Sequence, residues 1–370
     1  MNILLTNATP IYSGGELFVL EVARELKARS HNVLVAAEPD HLLLKKCGEE
    51  SIATESIHFS EGLQGMRAIM QLRRLIKRYR IDVVHSNSNF DRTYAAFAAK
   101  LCGVPHIASI HSEHSIQHNI VHWWRNHFAI DQFLVDGEPT RKILTEQNKI
   151  AQEKISVLRL GVDVAHLGRD DSKRKMIREL FGIPQDAIVI GNVGRLVPFK
   201  GHAVLLQAAS IVLKQHPAIH FLLVGDGVLR SDLERQVAQA GIGSSMHFVG
   251  FSDDLPSAYA AMDVYVHPSL DGGGESFPLA VLQALASGLP AVASRVGDIP
   301  LMMDEERNGF LVSPENAEEL AARLMQFVLS EEERMHAGEN AAQYIRAHFT
   351  TAKMVDVLEQ VYHRFCQAET

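Results

Sequence analysis

The stretch that decides the fold is Asp263-Val264-Tyr265-Val266, followed by His267-Pro268-Ser269-Leu270-Asp271-Gly272-Gly273-Gly274-Glu275-Ser276-Phe277-Pro278-Leu279-Ala280-Val281-Leu282-Gln283-Ala284-Leu285-Ala286-Ser287-Gly288. A β-prone run enters three glycines and a carboxylate. Pro278 then opens an apolar segment with helical spacing, which Gly288 ends. The pattern is strand, glycine loop, helix. Glycine lets bare backbone approach a ligand. A helix N-terminus presents unpaired N–H groups and favours an anion. The segment therefore reads as a site for an anionic ligand bearing hydroxyls, phosphate at the helix and hydroxyls at Glu275. An ordinary βα turn of a parallel sheet has the same local pattern.

Working outward, strand and helix patterns alternate along most of the chain, which predicts an α/β fold with parallel sheets. The length of 370 residues fits two domains of ordinary size. A first domain over residues 1–165 begins with the strand Ile3–Thr6, the loop Pro10-Ile11-Tyr12-Ser13-Gly14-Gly15 and a helix from Leu17. It continues to a last strand at Ile155–Gly161, and Asp163 to Lys175 reads as a polar linker. The second domain, 166–349, restarts with Ile188–Arg195, and a final helix fills 350–370.

Ligands of such sheets bind beyond the carboxyl ends of the strands. Gly14-Gly15 lies there, as does His111, a titratable group able to act in acid/base chemistry or sugar binding or to serve as a packed structural histidine. Arg195 and Lys200 flank another glycine turn, where an arginine fork and a lysine point charge suit a diphosphate. Gly225-Asp226-Gly227 starts a GxGxxG but has Arg230 at the third position, so neither glycine turn is a dinucleotide fingerprint.

Other features have bland readings alongside functional ones. The helix at 63–80 carries Arg67, Arg73, Arg74, Lys77, Arg78 and Arg80, with Leu72, Ile76 and Tyr79 as its expected buried stripe. Such a face is ordinarily solvated, or else meets acidic headgroups or a phosphorylated acceptor. His114, His118 and His122 stand four apart, but Glu113 is the sole nearby carboxylate and no metal site is expected. Trp123-Trp124 reads as buried packing, with an acceptor or membrane-interface contact as the other reading. A net charge of −8 argues against a nucleic-acid protein, and three scattered cysteines fit a reducing cytoplasm. The N-terminal run is no signal peptide, and no apolar stretch reaches membrane-spanning length; peripheral contact with the inner membrane face remains open.

Taken together, these residues resemble the retaining glycosyltransferases of family 4. The landmarks are Gly14-Gly15, His111 after Ala108-Ser109-Ile110, and Gly194-Arg195-Leu196 with Lys200-Gly201. They continue with Gly225-Asp226-Gly227, Phe248-Val249-Gly250 and, most specific, Glu275-Ser276-Phe277-Pro278-Leu279 running into Ala286-Ser287-Gly288-Leu289-Pro290. The resemblance implies a GT-B fold: two Rossmann-like domains facing a central cleft, with the last helix crossing back to the first domain. It implies a nucleotide-diphosphate sugar as co-substrate, no other cofactor and no metal. A hexose would pass to a glycan or lipid-linked acceptor in cell-surface polysaccharide or lipopolysaccharide synthesis.

By the same resemblance, Arg195 and Lys200 neutralise the leaving diphosphate, Glu275 receives hydroxyls of the donor sugar, and His111 touches the transferring sugar. Gly14, Gly15, Gly194, Gly225, Gly274, Ser276, Phe277, Pro278 and Leu279 line the donor site, and Phe251 lies near the base. The family pattern has a second Glu for the ribose eight positions after the first; here it is Gln283, which accepts and donates without charge. Leu160-Gly161-Val162-Asp163 also departs, lacking the Asn that often precedes this Gly. Alternatives are a nucleotide-sugar epimerase, a phosphorylase, or a binding subunit without turnover.

Overall fold

The computed structural model describes residues 1–9, 14–59, 63–111, 116, 119–272 and 274–366. The chain divides into two compact units, Met1–Gly161 with Thr351–Thr370, and Val162–Thr350.

Unit 1 holds a seven-stranded parallel sheet: β1 Asn2–Asn7, β2 Asn32–Ala37, β3 Ala53–Ser56, β4 Val83–Ser86, β5 His106–Ile110, β6 Gln132–Val135 and β7 Ile155–Val157. Their order is β3-β2-β1-β4-β5-β6-β7. Strands such as Ile3-Leu4-Leu5 are buried on both faces because helices cover both sides of a parallel sheet. One apolar cluster joins Leu4, Leu34, Leu72, Ile76, Val84 and Ala99. Another gathers Ile110, Phe133, Val135, Leu144 and Ile155. The order reverses between β1 and β4, so this unit's crevice opens at the carboxyl ends of those two strands.

The helix Thr351–Cys366 completes unit 1. It buries Met354, Val355, Leu358, Val361 and Tyr362 and packs against the helix Gly14–Ala28. Arg29 bonds Asp356 at 2.7 Å and Glu359 at 2.5 Å, and Thr351 Oγ1 donates to Glu21 at 3.0 Å. Inside the sheet the Tyr362 hydroxyl lies 2.6 Å from His85 Nδ1. Burial, with the nearby charge of His111, pushes His85 down to about 3, so it serves here as a neutral hydrogen-bonding group.

Unit 2 has six parallel strands: β8 Val189–Val193, β9 His220–Val224, β10 Met246–Gly250, β11 Val264–His267, β12 Ala291–Ser294 and β13 Gly309–Val312. Their order is β10-β9-β8-β11-β12-β13, which again reverses between the first and fourth strands of the unit. Its core runs from Ile190, Leu205 and Phe221 through Val264 and Val292 to Leu320 and Leu324.

Several expectations are corrected. Unit 2 begins at Val162, ahead of residue 166, because the Val162 N–H donates to Phe349 O at 2.9 Å. The polar stretch read as a linker to Lys175 is helical from Asp171 to Leu180, capped by Asp170. Its pattern hides the helix because arginines dock it. Arg174 and Arg178 bond the two oxygens of Asp263 at 2.8 and 2.7 Å, and Arg178 is fully buried. The last strand of unit 1 stops at Val157, short of Gly161. Tyr79 is exposed and donates to Glu55 instead of joining the stripe of Leu72 and Ile76. Trp123 and Trp124 are exposed, not buried; Arg125 takes the inward position and bonds Thr93 at 2.7 Å.

The Asp263 clamp ties the helix Asp171–Leu180 to β11. Replacing Asp263 with Ala leaves Arg178 buried without its carboxylate and is expected to cost roughly 3–5 kcal/mol. Urea unfolding of the full chain, followed by circular dichroism, measures this.

Candidate functional site

In unit 2 the site is built where the strand order reverses, from the loops after β8 and β11. Beyond β8 the chain turns through Gly194-Arg195, and a short helical turn, Pro198–Lys200, delivers Lys200. Gly201 follows with φ +68°, and a Cβ there would lie 1.8 Å from the carbonyl oxygen of Pro268. Only glycine permits that contact between the two loops. Gly225 donates to Gly250 O at 2.8 Å, and Gly194 to Val224 O at 2.9 Å, so the ends of β8, β9 and β10 are locked together.

Glu275 is the centre. It is 8% exposed, and three groups converge on its Oε2: Lys200 Nζ at 2.5 Å, Ser269 Oγ at 2.6 Å and His267 Nε2 at 3.0 Å. None of these bonds reaches Oε1, which keeps its acceptor capacity. Burial alone would raise this carboxyl. The Lys200 ammonium and the bond from His267 overcome burial and hold it well below the usual carboxylate range. His267 is lowered by burial in spite of Glu275. Neutral His267 then donates from Nε2 to Glu275, and its Nδ1 accepts from the Tyr265 hydroxyl at 3.1 Å. Arg195 is exposed beside Lys200, and Phe199 lies 5.9 Å from its guanidinium and 5.5 Å from the Lys200 ammonium.

The helix Leu279–Ala286 starts immediately beyond, after Pro278. Ser276 and Phe277 are buried, Phe277 against Phe349, and Leu279 is 9% exposed. Gly274 has φ +88°, whereas Gly273 lies outside the described residues. Gln283 faces inward on this helix at 7% exposure, its amide oxygen 3.3 Å from the Tyr259 hydroxyl. Phe251 is 59% exposed beyond β10.

In unit 1, Gly14 and Gly15 form the first turn of the helix Gly14–Ala28 and not a loop before it; Pro10 to Ser13 lie outside the described residues. A side chain at Gly15 would meet nothing within 4 Å. His111 stands at the carboxyl end of β5 beside Phe18, with ring centroids 4.7 Å apart. Its Nδ1 donates to Asp136 at 2.9 Å, while its buried Nε2 has no partner. Burial opposes the charged imidazole. Asp136, with help from Glu16, outweighs burial and raises the pKa above the ordinary histidine value. Neutral His111 accepts at Nε2 and protonated His111 donates there.

Sequence reasoning assigned no role to His267, Ser269 and Tyr265, although His-Pro-Ser directly after a strand was a usable signal. It also passed over Asn7 and Asn87. They end β1 and follow β4, are 1% and 4% exposed, and leave one amide nitrogen and one amide oxygen unpartnered. Of the histidine row, His122 lies on the helix Ile120–Trp124, and Glu113, His114 and His118 lie outside the described residues.

Residues 12–166 match the model of Glycosyltransferase Family 4, and residues 173–344 match that of Glycosyl transferases group 1. The chain belongs to the family-4 type of glycosyltransferases. It is 26% identical over 314 residues to the UDP-Gal:alpha-D-GlcNAc-diphosphoundecaprenol alpha-1,3-galactosyltransferase of Escherichia coli, covering 81% of this chain and 80% of that protein. It is 31% identical to the D-inositol 3-phosphate glycosyltransferase of Corynebacterium kroppenstedtii over 63% of this chain, and spans about half of that relative, 53%. Anabaena HepE in complex with UDP shares the GT-B fold with a TM-score of 0.84 at 21% identity, covering 98% of this chain and 100% of HepE. A glycosyltransferase of Rickettsia africae gives 0.86 at 20% identity over 100% of this chain and 99% of its own.

The lowered pKa of Glu275 sets a pH dependence. Its stabilisation is present above the unfolded-chain value of about 4.3 and fades as pH falls below it. Melting temperatures from pH 6 down to about 3 are expected to fall more steeply in the wild type than in Glu275→Gln, which has no carboxylate to protonate. Parallel curves would remove Glu275 from the acid transition.

Proposed function

We propose that this chain transfers a hexose, with retention of anomeric configuration, from a nucleotide diphosphate sugar to a hydroxyl of a lipid-linked or glycan acceptor. The observation that carries the reading is the buried Lys200–Glu275 pair, in which Oε2 takes every bond and Oε1 remains to accept sugar hydroxyls. Arg195, Lys200 and the N-terminus of the helix Leu279–Ala286 supply positive charge for the diphosphate. Gly14 and Gly15 offer helix-terminal N–H groups to its distal phosphate, and Gln283 takes the ribose. Gly225 and Phe251 mark the base region.

The first donor to test is a UDP-hexose, since a relative named for UDP-Gal aligns over four fifths of both chains. In the transfer step the bond from C1 of the sugar to the phosphate oxygen breaks, and the acceptor oxygen bonds C1 on the same face. The acceptor proton passes to the departing phosphate oxygen. His111 orients a hydroxyl of the transferring sugar, and Asn7 and Asn87 hold acceptor hydroxyls as donor and acceptor. The pathway read for the product is surface-polysaccharide or lipopolysaccharide synthesis.

Arg195→Ala is expected to lower turnover by about 10²–10³-fold, as loss of a transition-state charge partner does. Its stability should be unchanged, since the side chain is exposed. Lys200→Ala should lose as much activity and also some stability, because it leaves Glu275 buried and unpaired. A thermal-shift screen of UDP, GDP and ADP sugars, followed by radiolabel transfer assays, tests both; normal turnover in either variant removes the diphosphate assignment. Binding of a sugar nucleotide without turnover would leave a binding subunit.

Gln283→Glu places a carboxylate at the proposed ribose position. It is expected to tighten nucleotide binding several-fold, read by calorimetry with UDP; an unchanged affinity takes the ribose away from this residue.

A further inference from the structure

One surface of unit 1 is inverted relative to normal packing. The helix Ile120–Trp124 buries none of its side chains, yet four of its five residues are large and apolar. Ile120 is 83% exposed, Val121 48%, Trp123 46% and Trp124 38%, and Phe128 in the following π-helical turn Arg125–Ala129 adds 52%. The rings form one continuous ledge. Trp123 lies 5.5 Å from Phe128, Phe128 6.3 Å from Trp124, and Trp124 is stacked 5.4 Å from Phe97.

The ledge is anchored from beneath. Arg125 is 3% exposed and bonds Thr93 and Asn126, and Lys154 Nζ donates to the carbonyls of His127 and Ile130 at 2.8 and 3.0 Å. A fixed apolar ledge left exposed among the described residues marks an interaction surface.

Its surroundings identify the partner by charge. Residues 63–130 hold nine Lys and Arg against three Asp and Glu, in a chain of net charge −8. One of the three acids, Asp91, is fully buried. The helix Arg92–Cys102 packs on one side against the π-helical turn and on the other against the helix Leu63–Arg78. That second helix has no acidic residue, and Arg67, Arg74, Lys77 and Arg78 on it are exposed next to Met66 and Met70, 66% and 44% exposed. Between them stand exposed Lys100 and Leu101. Tryptophan rings beside apolar side chains suit the headgroup boundary, and exposed cations, of which Arg78 also has Glu55 at 4.0 Å, suit an anionic leaflet. A second copy of this chain, docked through the same face, would bring the two cationic helices toward each other.

We propose that this ledge, with the cationic helix Leu63–Arg78, docks unit 1 onto an anionic lipid bilayer. Ile120, Trp123 and Phe128 enter the headgroup boundary, and Arg67, Arg74, Lys77 and Arg78 meet lipid phosphates. The docking stands apart from the transfer reaction, so vesicles free of donor and acceptor test it, and its failure would leave the donor site untouched.

The chain's only two tryptophans are both on the ledge, so tryptophan emission, excited apart from the tyrosines, reports this surface alone. The full chain is mixed with vesicles of phosphatidylglycerol and phosphatidylcholine in equal parts, or of phosphatidylcholine only, then sedimented and measured for emission and acrylamide quenching. Docking gives sedimentation with the anionic vesicles, a blue shift and reduced quenching, and loss of binding near 0.5 M NaCl. Ile120→Ser with Phe128→Ser, and separately Arg74→Glu with Lys77→Glu, are each expected to lower the bound fraction about tenfold or more while melting as the wild type does. No sedimentation overturns the proposal, as does sedimentation with unchanged tryptophan emission and quenching. Self-association without lipid that Trp123→Ser abolishes also overturns it and assigns the ledge to a second copy.

Discussion

A carboxylate at 8% exposure must be paired, or its burial costs several kcal/mol. Glu275 is paired by Lys200, and that single requirement draws three loops together. Lys200 arrives from β8 through Gly201, whose missing Cβ admits Pro268 O at 1.8 Å. Glu275 arrives from β11. The loop after β12 closes from the far side, where a Cβ on Gly297 would fall 2.1 Å from Glu275 O, and Asp298 N–H donates to Ser276 O. His267 and Ser269, at and just past the end of β11, fill the rest of Oε2. The ion pair is therefore also a structural joint between neighbouring strand ends, and the free oxygen of its carboxylate is fixed in direction before any ligand arrives.

Unit 1 solves the corresponding problem differently. Its crevice between β1 and β4 also contains a fully buried carboxylate, Asp91, with a cation next in sequence, Arg92. Asp91 accepts from the hydroxyls of Thr6 and Ser88 and from the backbone N–H of Asn87 and Ser88. Burial prevails over these bonds and over Arg92, so its pKa is raised, opposite in sign to Glu275. The Arg92 guanidinium reaches the Ser109 carbonyl instead. Asp91 thus braces the loop that carries Asn87, whereas Glu275 presents an oxygen. Two sheets with the same reversal of order hold a hydroxyl-rich floor in one unit and a charge-paired one in the other.

The alternation of strand and helix made the fold class legible, because strands buried on both faces read as plain apolar runs. The position of Arg195, Lys200 and Gly201 just beyond β8 was legible for a related reason: a glycine turn between an apolar strand and an apolar helix marks a strand's carboxyl end. What stayed hidden was hidden by chemistry that periodicity does not register. The helix Asp171–Leu180 looks like a linker because Arg174 and Arg178 hold it through Asp263 and not through an apolar stripe. Trp123 and Trp124 look like core because hydrophobicity predicts burial, whereas Arg125 is the residue that packs inward. The Glu275 shell was missed because His267, Ser269 and Tyr265 become partners only when the loop folds back on its own strand.

The uncharged residue at position 283 follows from the same economy of charge. Gln283 is 7% exposed one turn into the helix Leu279–Ala286, and its amide oxygen meets the neutral hydroxyl of Tyr259, which also lies 3.1 Å from Ala280 O. A carboxylate there would be a second buried anion facing a neutral partner, matched only when ligand hydroxyls donate to it. Burial raises the pKa of Tyr259, so its hydroxyl stays protonated and neutral there. An amide avoids the desolvation of a second buried anion while retaining both a donor and an acceptor.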